Sequence, residues 1–305
     1  MRDITKLHPK LQDKIAELEV LCKKNGLKIK ITECLRTVAE QDALYAQGRT
    51  KPGKIVTNAK GSTYSSMHLW GVAFDYCRDD GKGAYYDNDG FFTKVGKLGQ
   101  SIGLEWGGSW KSIVDKPHFQ LPDWGSTTSK LKSLYGTPEN FFKTWHYTIT
   151  YHLNGGKNSA KNVTTYKVGD SFKLNDPTRD GYDFKGWYST PNFKAKIKSV
   201  SGQNVSVYAK WAVLNPSVGE TYTVIKSTYL KTTPVYSKKE RIKLVSLNPT
   251  TKAKCSADDE GYALMKPGST FVLSKKKKIN GDIWGQMKAG YWLPVVADEE
   301  ARIKR

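Results

Sequence analysis

Residues 66–75 read Ser66-Met67-His68-Leu69-Trp70-Gly71-Val72-Ala73-Phe74-Asp75, and a second segment reads Asp115-Lys116-Pro117-His118-Phe119. The chain has only five histidines, and two of them lie in these segments, each close in sequence to an aspartate. A catalytic zinc site needs three nitrogen or oxygen ligands, an open coordination position and a nearby carboxylate that acts as a base. His68, Asp75 and His118 can supply the ligands, with Asp115 as the base.

The spacing within the two segments limits the structures that can bring these side chains together. His68 and Asp75 are seven residues apart, so one straight strand would place them on opposite faces, and Gly71 would have to allow a bend. Pro117 excludes a regular helix from Asp115 to His118, so we expect this pair where a loop enters a strand. A single histidine is more often a core or surface residue than a ligand, and spacing alone leaves that alternative open.

The ordered pattern S-x-H-x-x-G-x-A-x-D followed by D-x-x-H resembles the zinc D-alanyl-D-alanine carboxypeptidase and L-alanyl-D-glutamate endopeptidase family. The resemblance covers about residues 5–125 and implies an α+β, Hedgehog/DD-peptidase-like fold. With aspartate in its first position, the D-x-x-H motif resembles that of the L-alanyl-D-glutamate endopeptidases of phages and bacteria. Further matching stretches are Cys34–Thr37, Glu40–Gln41, Gly48–Thr50, Pro52–Gly53 and Leu104–Trp110.

The resemblance implies a role for each residue of the two segments. His68, Asp75 and His118 would bind Zn²⁺, and Asp115 would activate water and pass a proton to the leaving amine. The implied reaction is hydrolysis of peptidoglycan stem peptides by an endolysin-like enzyme, with the bond between L-alanine and D-glutamate as the expected target.

Residues outside the two segments also acquire roles through the resemblance. Arg36 would stabilise the developing oxyanion, and Ser66 would donate a hydrogen bond near the substrate. Trp106 and Trp110 either line the substrate cleft or pack in the core, and the sequence does not separate these interpretations. The run Glu33-Cys34-Leu35-Arg36 departs from the Ser-Gly-Tyr-like run of many relatives, so one wall of the cleft is expected to differ.

Hydrophobic spacing predicts the elements around these residues. Leu11, Ile15, Leu18 and Leu21 recur at helical spacing, with Pro9 in the first turn and Gly26 as the stop. The expected remainder is a strand at 27–31, a helix opened by the capping box Thr37–Glu40, a loop at 50–66, a helix at 91–102 and short helices near Leu131 and after Pro138.

From His146 onward the pattern changes to short alternating strands, which predicts two small β modules. Residues 147–211, with the core Gly181-Tyr182-Asp183-Phe184-Lys185-Gly186-Trp187-Tyr188, resemble the Listeria–Bacteroides repeat of bacterial surface proteins. The resemblance implies a β-grasp-like module, which either binds the cell wall or acts as a spacer. We therefore divide the chain into a peptidase domain at 1–145 and a repeat module at 146–212.

The last part of the chain, residues 217–305, follows the linker Leu214–Ser217. Lys277–Gln286 and Gly290–Val295 are similar to the closing strands of SH3-like wall-binding domains. Trp284, Trp292 and Tyr291 either stack on a ligand or fill a small barrel. The lysines from 275 to 278 form a solvated run or an anion contact, and residues 298–305 are expected to be frayed.

The formal net charge of +20 predicts attraction to a polyanion, and the excess is densest in the second half. Nucleic acid, an anionic membrane and an anionic cell wall all satisfy this condition, although no nucleic-acid motif is present. The first nine residues contain no apolar core, so we expect synthesis without a signal peptide in a host cytoplasm and action at the wall after release. No run of 18 apolar residues exists, which excludes a membrane-inserted class.

Two other functions remain open at this stage. A D-Ala-D-Ala carboxypeptidase would share every catalytic residue, and a non-catalytic wall-binding or adhesion protein could retain a structural zinc. Asp115 and Arg36 argue against the latter, because a structural site needs neither. The four cysteines form no C-x-x-C pair and are expected to be reduced, mostly buried thiols. His8, His146 and His152 match no motif and are expected to be structural or exposed.

Overall fold

The structure, a computed structural model, describes residues 3–305. The first two residues of the N-terminal segment, in which we expect no signal peptide, lie outside the described range. The chain divides into two compact units. One comprises residues up to 148 with 164–172 and 200–205, and the other comprises 149–163, 173–199 and 206–305. No helix in the described range is both long and apolar enough to cross a bilayer.

The N-terminal part combines five helices with a four-stranded sheet. The helices are α1 (Pro9–Lys24), α2 (Val38–Ala46), α3 (Phe91–Ser101), α4 (Ser129–Tyr135) and α5 (Pro138–Phe142). The strands are β1 (Ile29–Glu33), β2 (Ala73–Arg78), β3 (Glu105–Trp106) and β4 (His118–Gln120). They form a sheet of order β1-β2-β4-β3, and each neighbouring pair is antiparallel.

Local sequence accounts for the helices in this part. Helix α1 has Pro9 at its first position and ends before Gly26, whose φ of +70° suits glycine. Its side chains Leu11, Ile15 and Leu18 are buried in the same core as Phe74 and Phe119, whose ring centroids lie 5.5 Å apart. The predicted capping box is confirmed, since the side chains of Thr37 and Glu40 each accept from the other's backbone N–H.

Within residues 146–213, all of which the structure describes, the regular secondary structure consists of β-strands. They are β5 (His146–His152), β6 (Thr165–Lys167), β7 (Ser171–Lys173), β8 (Tyr182–Tyr188), β9 (Lys196–Ile197), β10 (Ser199–Ser201) and β11 (Val205–Val213). Five of them form a sheet of order β6-β5-β11-β8-β9, and β7 pairs with β10. Trp187 is buried, and its indole N–H donates to the Asn175 carbonyl at 3.0 Å.

Residues after the linker form two further sheets with one short helix, α6 (Pro249–Ala253). The strands are β12 (Thr221–Val224), β13 (Thr228–Tyr229), β14 (Cys255–Ala257), β15 (Ala263–Met265), β16 (Thr270–Ile279), β17 (Asp282–Met287), β18 (Trp292–Ala297), β19 (Glu300–Ala301) and β20 (Ile303–Lys304). The sheet orders are β19-β18-β17-β16-β12-β20 and β13-β15-β14. An SH3-like barrel remains a prediction for this part.

The expectation of a frayed C-terminus was wrong. Strand β20 pairs with β12, so Ile303 lies opposite Val224, and both side chains are buried. Burial of Ile303 and pairing of its backbone hold the end of the chain in the sheet. Trp284, for which the sequence left two interpretations, is 1% exposed and lies in the interior.

The four cysteines are buried and form no disulfide within the described residues, as expected from their positions in sequence. Burial raises the pKa of the Cys22 thiol to about 11, and Glu19 contributes to the same shift. Cys22 therefore stays protonated at neutral pH and packs as a small apolar side chain.

His8 joins the start of α1 to an aromatic cluster. Its Nδ1 accepts from the backbone N–H of Lys10 at 3.2 Å, and its ring packs against Trp124, Phe141 and Trp145. Burial lowers the pKa of His8 to about 4, although Asp123 opposes the shift. The neutral ring is therefore the form that the fold requires.

We predict that His8 makes the fold acid-sensitive. The unfolded chain takes up a proton near pH 6.5 and the folded chain only near pH 4, so this contribution is complete above pH 6.5. Its loss between pH 6.5 and 4 corresponds to roughly 2–3 kcal/mol. Urea unfolding of wild type and His8→Asn across this range, with a chelator throughout, measures it. Asparagine retains a capping oxygen but does not titrate, so parallel pH profiles for the two proteins would contradict this role.

Candidate metal centre

Three side chains converge at one point of the N-terminal sheet. His68 Nε2 lies 3.3 Å from His118 Nδ1 and 3.2 Å from Asp75 Oδ1, and His118 Nδ1 lies 3.0 Å from Asp75 Oδ1. They form a group of histidine and aspartate donors that can hold a metal ion. The three residues singled out by the sequence therefore lie together.

The local backbone explains how residues seven apart in sequence reach the same point. His68 lies in a 3₁₀ turn, Met67–Trp70, and Gly71 ends this turn with a φ of +63° before β2 begins. The expected bend at Gly71 is confirmed. A side chain there would be strained, and its Cβ would also lie 2.7 Å from the Trp145 ring.

Asp75 and His118 are brought together by strand pairing. Asp75 lies on β2 directly opposite His118, which is the first residue of β4. The prediction that His118 follows a loop at the start of a strand is confirmed. Because facing residues of an antiparallel pair are close neighbours, the register itself sets this contact.

Hydrogen bonds orient both imidazole rings. His68 Nδ1 lies 3.0 Å from the Cys34 carbonyl oxygen, and His118 Nε2 lies 3.1 Å from Gln120 Oε1. Each acceptor requires a proton on the nitrogen that faces it. The opposite nitrogens, His68 Nε2 and His118 Nδ1, are then the ring atoms that can offer lone pairs to a metal ion, and both face Asp75.

The three donors fit a zinc ion. Metal–ligand distances of about 2.0–2.1 Å in tetrahedral geometry place donor atoms about 3.3 Å apart. The observed separations of 3.0, 3.2 and 3.3 Å are close to this value. Two imidazole nitrogens and one carboxylate oxygen are also the donor types that catalytic zinc sites use, with a fourth position left open.

The electrostatics of the group favour a bound cation. Burial raises the pKa of Asp75, but His68 and His118 outweigh this effect and hold the pKa well below its ordinary value. Burial lowers the pKa of His118, but its hydrogen bond to Asp75 outweighs this and raises the pKa. Asp75 is thus an anion, and a metal ion held by the three donors would supply the positive charge beside it.

Asp115 lies at the edge of this group, three residues before His118. Its backbone N–H donates to the Gly107 carbonyl at 3.0 Å, and a Cβ at Gly107 would lie 2.5 Å from the Asp115 carbonyl oxygen. Glycine is therefore needed at 107 for this close approach. Burial raises the pKa of the Asp115 carboxyl and Asp75 adds to the shift, whereas His118 opposes it. A raised pKa suits a group that takes and returns protons.

Arg36 lies behind Asp75 with its side chain 12% exposed. Its guanidinium donates to Asp75 Oδ2 at 3.1 Å, to Glu33 Oε2 at 2.7 Å and to Gln41 Oε1 at 3.2 Å. These bonds use three of its five N–H groups and hold the carboxylate whose other oxygen faces the histidines. The sequence did not indicate the contact between Arg36 and Asp75.

The residues predicted to contact substrate lie in different surroundings. Ser66 precedes the turn that carries His68, and its hydroxyl makes no capping bond to that turn. Trp106 is 7% exposed and packs in the core, where its indole N–H donates to the Lys116 carbonyl at 2.8 Å. Trp110 is partly exposed, and its ring lies 5.1 Å from the His118 ring.

A chain of hydrogen bonds behind His118 was missed by the sequence analysis. Gln120 accepts from His118 and donates to Glu105 Oε2 at 3.1 Å, while Trp110 donates to Glu105 Oε1 at 2.7 Å. Gln120 is 1% exposed. A polar residue two positions after a ligand, on the same face of a strand, is the signal that could have indicated it.

Comparison with known proteins adds independent information. Residues 59–121 match the D-alanyl-D-alanine carboxypeptidase family model, and residues 147–210 match the Listeria–Bacteroides repeat domain. The chain is 36% identical over 124 residues to the peptidoglycan L-alanyl-D-glutamate endopeptidase CwlK of Bacillus subtilis (strain 168), which covers 38% of this chain and 73% of CwlK.

Two further relatives are similar over different lengths. The L-alanyl-D-glutamate peptidase of Listeria phage A118 is 26% identical over 275 residues, covering 88% of this chain and 85% of the phage protein. The solved L-Ala D-Glu endopeptidase ChiX of Serratia marcescens is 23% identical and covers 39% of this chain and 82% of ChiX, with a TM-score of 0.30.

The three-donor group and the family match at residues 59–121 together define a zinc peptidase. The chain belongs to the family of zinc D-alanyl-D-alanine carboxypeptidases and L-alanyl-D-glutamate endopeptidases. It is a zinc-dependent enzyme that hydrolyses peptidoglycan, and the resemblance inferred from residues 66–75 and 115–118 is confirmed.

We predict that Gln120→Ala weakens zinc binding without unfolding the protein. Loss of the Gln120 acceptor frees the His118 ring to rotate or to change tautomer, and such changes lower metal affinity about 10–100-fold. Competition with a zinc-binding dye measures the affinity. Gln120→Glu, which keeps an acceptor at this position, is the matched variant, and equal affinity of the alanine variant and wild type would contradict the proposed orientation.

Proposed function

We propose that this protein cleaves the bond between L-alanine and D-glutamate in peptidoglycan stem peptides, as an endolysin-like enzyme attached to the wall by its C-terminal modules. The observation that carries the proposal is the convergence of His68, Asp75 and His118 beside Asp115. The names of the aligned Bacillus subtilis and phage relatives supply the bond.

In this proposal the zinc ligands are His68 Nε2, Asp75 Oδ1 and His118 Nδ1. Zinc bound there would polarise the scissile carbonyl and lower the pKa of a coordinated water to about 7. The protein contributes fixed ligand geometry through the Cys34 carbonyl and Gln120, which orient the two imidazoles. Ligands oriented before the substrate arrives need no rearrangement during the reaction.

Asp115 is the proposed general base and acid. Its partial burial favours the protonated form more than water does, so the carboxyl can take a proton from water and return it to the leaving amine. Its backbone N–H donates to the Gly107 carbonyl and its carbonyl accepts from the His118 backbone N–H at 3.2 Å, so the backbone that carries Asp115 is held next to the ligand His118. Proton transfer of this kind contributes about 10²–10⁴-fold to the rate.

Arg36 is the proposed partner of the developing oxyanion. Two of its five N–H groups remain after its bonds to Glu33, Gln41 and Asp75, and a guanidinium that is 12% exposed acts in surroundings where charge is weakly screened. The same side chain holds Asp75 in place, so its loss would affect both the ligand and the transition state.

A substrate contact is proposed for Ser66, whereas Trp106, the other residue that the sequence suggested, is given a supporting role because it packs in the core. Ser66 can offer its hydroxyl beside the turn that carries His68. The packing of Trp106 supports the wall of the site from behind, because its indole N–H holds the Lys116 carbonyl in the segment between Asp115 and His118. Trp110 is added as a surface on which the substrate can rest, since its ring contacts His118.

The domain division remains part of the proposal: a peptidase domain at 1–145, the repeat module at 146–212 and an SH3-like module at 217–305. The alignment with the phage protein extends over 88% of this chain, which supports a shared arrangement beyond the catalytic part. An enzyme of this kind would be made in a host cytoplasm and act after release at a wall whose anionic polymers attract its net charge of +20.

Cleavage at D-Ala-D-Ala is the second candidate. It is favoured by the match of residues 59–121 to the D-alanyl-D-alanine carboxypeptidase family model. Both reactions require the same ligands and base, and they differ in which part of the stem peptide the cleft holds. Product analysis therefore separates them.

We predict that digestion of purified Gram-positive walls releases peptides with new N-terminal glutamyl residues. The products should vanish with a chelator and return with zinc, because the three ligand residues cannot support hydrolysis without the metal. Mass spectrometry of the released fragments identifies the bond. Free D-alanine instead would establish the carboxypeptidase, and absence of any product from every wall type would refute the peptidase specificity proposed here.

We predict that Asp115→Ala retains zinc but loses about 10²–10⁴-fold in kcat, because the base is removed while the three ligands remain. Zinc content per chain and the rate of wall hydrolysis are measured on the same preparation. Asp115→Asn is the matched variant of similar size, and it should behave like the alanine variant. Loss of zinc from both variants would instead assign Asp115 as a ligand.

A further inference from the structure

A pocket of about 200 Å³ lies in the C-terminal all-β part, away from the peptidase residues in sequence. Its lining includes three cationic side chains, those of Lys231, Arg241 and Arg302, together with Tyr229 and Tyr236. The described residues that line it include no carboxylate. A pocket of this size is smaller than the usual pocket for a drug-sized ligand and suits one small polar group.

Two cationic side chains of this pocket have N–H groups without a hydrogen-bond partner. Arg241 Nε and Arg302 Nε are buried without a hydrogen-bond partner, and among the described residues only Trp145 Nε1 shares this condition. Lys231 is 3% exposed, and its Nζ donates to the Ser237 carbonyl at 2.7 Å. Buried charged donors without acceptors are unfavourable, so an anion that enters the pocket beside the two guanidinium groups would be stabilised there.

Neighbouring carboxylates only partly balance these charges. Arg241 Nη1 lies 3.9 Å from Asp258 Oδ2, which already accepts from the Tyr229 hydroxyl at 2.9 Å. Arg302 Nη2 lies 3.8 Å from Asp298, whose side chain is 91% exposed. Both distances exceed those of hydrogen bonds. Burial lowers the pKa of Lys231 and the nearby Arg241 lowers it further, whereas Glu240 opposes the shift.

Arginine and lysine are the side chains with which proteins commonly bind phosphate groups. The guanidinium presents parallel N–H groups to two oxygens, and lysine adds a point charge. Arg241 is held in place by stacking on Tyr229, with its Cζ 3.6 Å from the ring centroid. Tyr236 is likewise held, because its hydroxyl donates to Asp282 at 2.6 Å. The pocket is therefore preorganised.

We propose that the pocket of Lys231, Arg241 and Arg302 binds a phosphate group, carried by a phosphodiester polymer of the wall or present as free phosphate. This inference adds a ligand to the proposed wall attachment. Phosphate binding itself does not depend on that attachment, but the identification of a wall polymer as the source rests on the proposed function. Binding in the pocket supplies a defined contact, in contrast to the general attraction of a positive surface.

Calorimetric titration of the full zinc-loaded chain with inorganic phosphate and with glycerol phosphate, at constant ionic strength, tests the pocket. Arg241→Gln and Arg302→Gln should each weaken binding at least about tenfold, because each removes a charged donor pair. The matched control is Lys288→Gln, which removes an exposed lysine directly after β17, outside the pocket, and should leave the affinity unchanged. Thermal unfolding verifies that each variant is folded, and Arg302→Lys, which keeps the charge, should bind with intermediate affinity.

Three outcomes of the titration would contradict phosphate binding in this pocket. Equal weakening of phosphate binding by Lys288→Gln would show that only the overall charge of the chain matters. Binding that neither arginine variant weakens would place phosphate elsewhere on the chain, such as at the zinc. Absence of any binding to the wild-type chain would overturn the proposal directly.

Retention of the Asp115→Ala protein on walls, before and after removal of phosphodiester polymers, identifies the source without requiring hydrolysis. If removal of the phosphodiester polymers releases the protein from the walls, and Arg302→Gln releases it from untreated walls to the same extent, the polymer is the source of the phosphate. Phosphate binding with unchanged retention supports the free ion.

Discussion

The antiparallel pairing of β2 with β4 is the constraint on which the site depends. It places Asp75 directly opposite His118, and the turn before β2 brings His68 to the same point. A shift of the pairing by one residue would turn His118 to the other face of the sheet and separate the donors. The sheet therefore serves both as core and as the frame of the metal site, and the buried Phe74 and Phe119 beside the two ligands hold the register.

Groups around the ligands offset the unfavourable burial of charge. Asp75 is an anion with its side chain 18% exposed, and it is stabilised by two imidazoles on one oxygen and by Arg36 on the other. Burying such a group alone would be strongly unfavourable. The C-terminal pocket has the opposite polarity, with three cations and few acceptors. One site is thus suited to a cation and the other to an anion, and each can be tested by substitutions that leave the other intact.

Much of the N-terminal part could be predicted because its signals are local. Helix α1 follows from apolar residues at helical spacing, and α2 from its capping box. The bend at Gly71 and the loop before His118 follow from glycine and proline, which restrict the backbone wherever they occur. The pairing of β20 with β12 could not be predicted in this way, because its partners are about eighty residues apart and short strands carry little pattern of their own.

The family, the residue types of the zinc site and its three ligand candidates could be inferred from the sequence, because an ordered motif specifies chemistry directly. The surroundings of these ligands became visible in the folded chain: Gln120 and Glu105 lie behind His118, Arg36 lies against Asp75, and Trp106 packs in the core rather than in an open cleft. The same holds for the pocket of Lys231, Arg241 and Arg302, whose members are spread over about seventy residues. These contacts depend on strand register and on side-chain packing between distant segments, which no local pattern encodes.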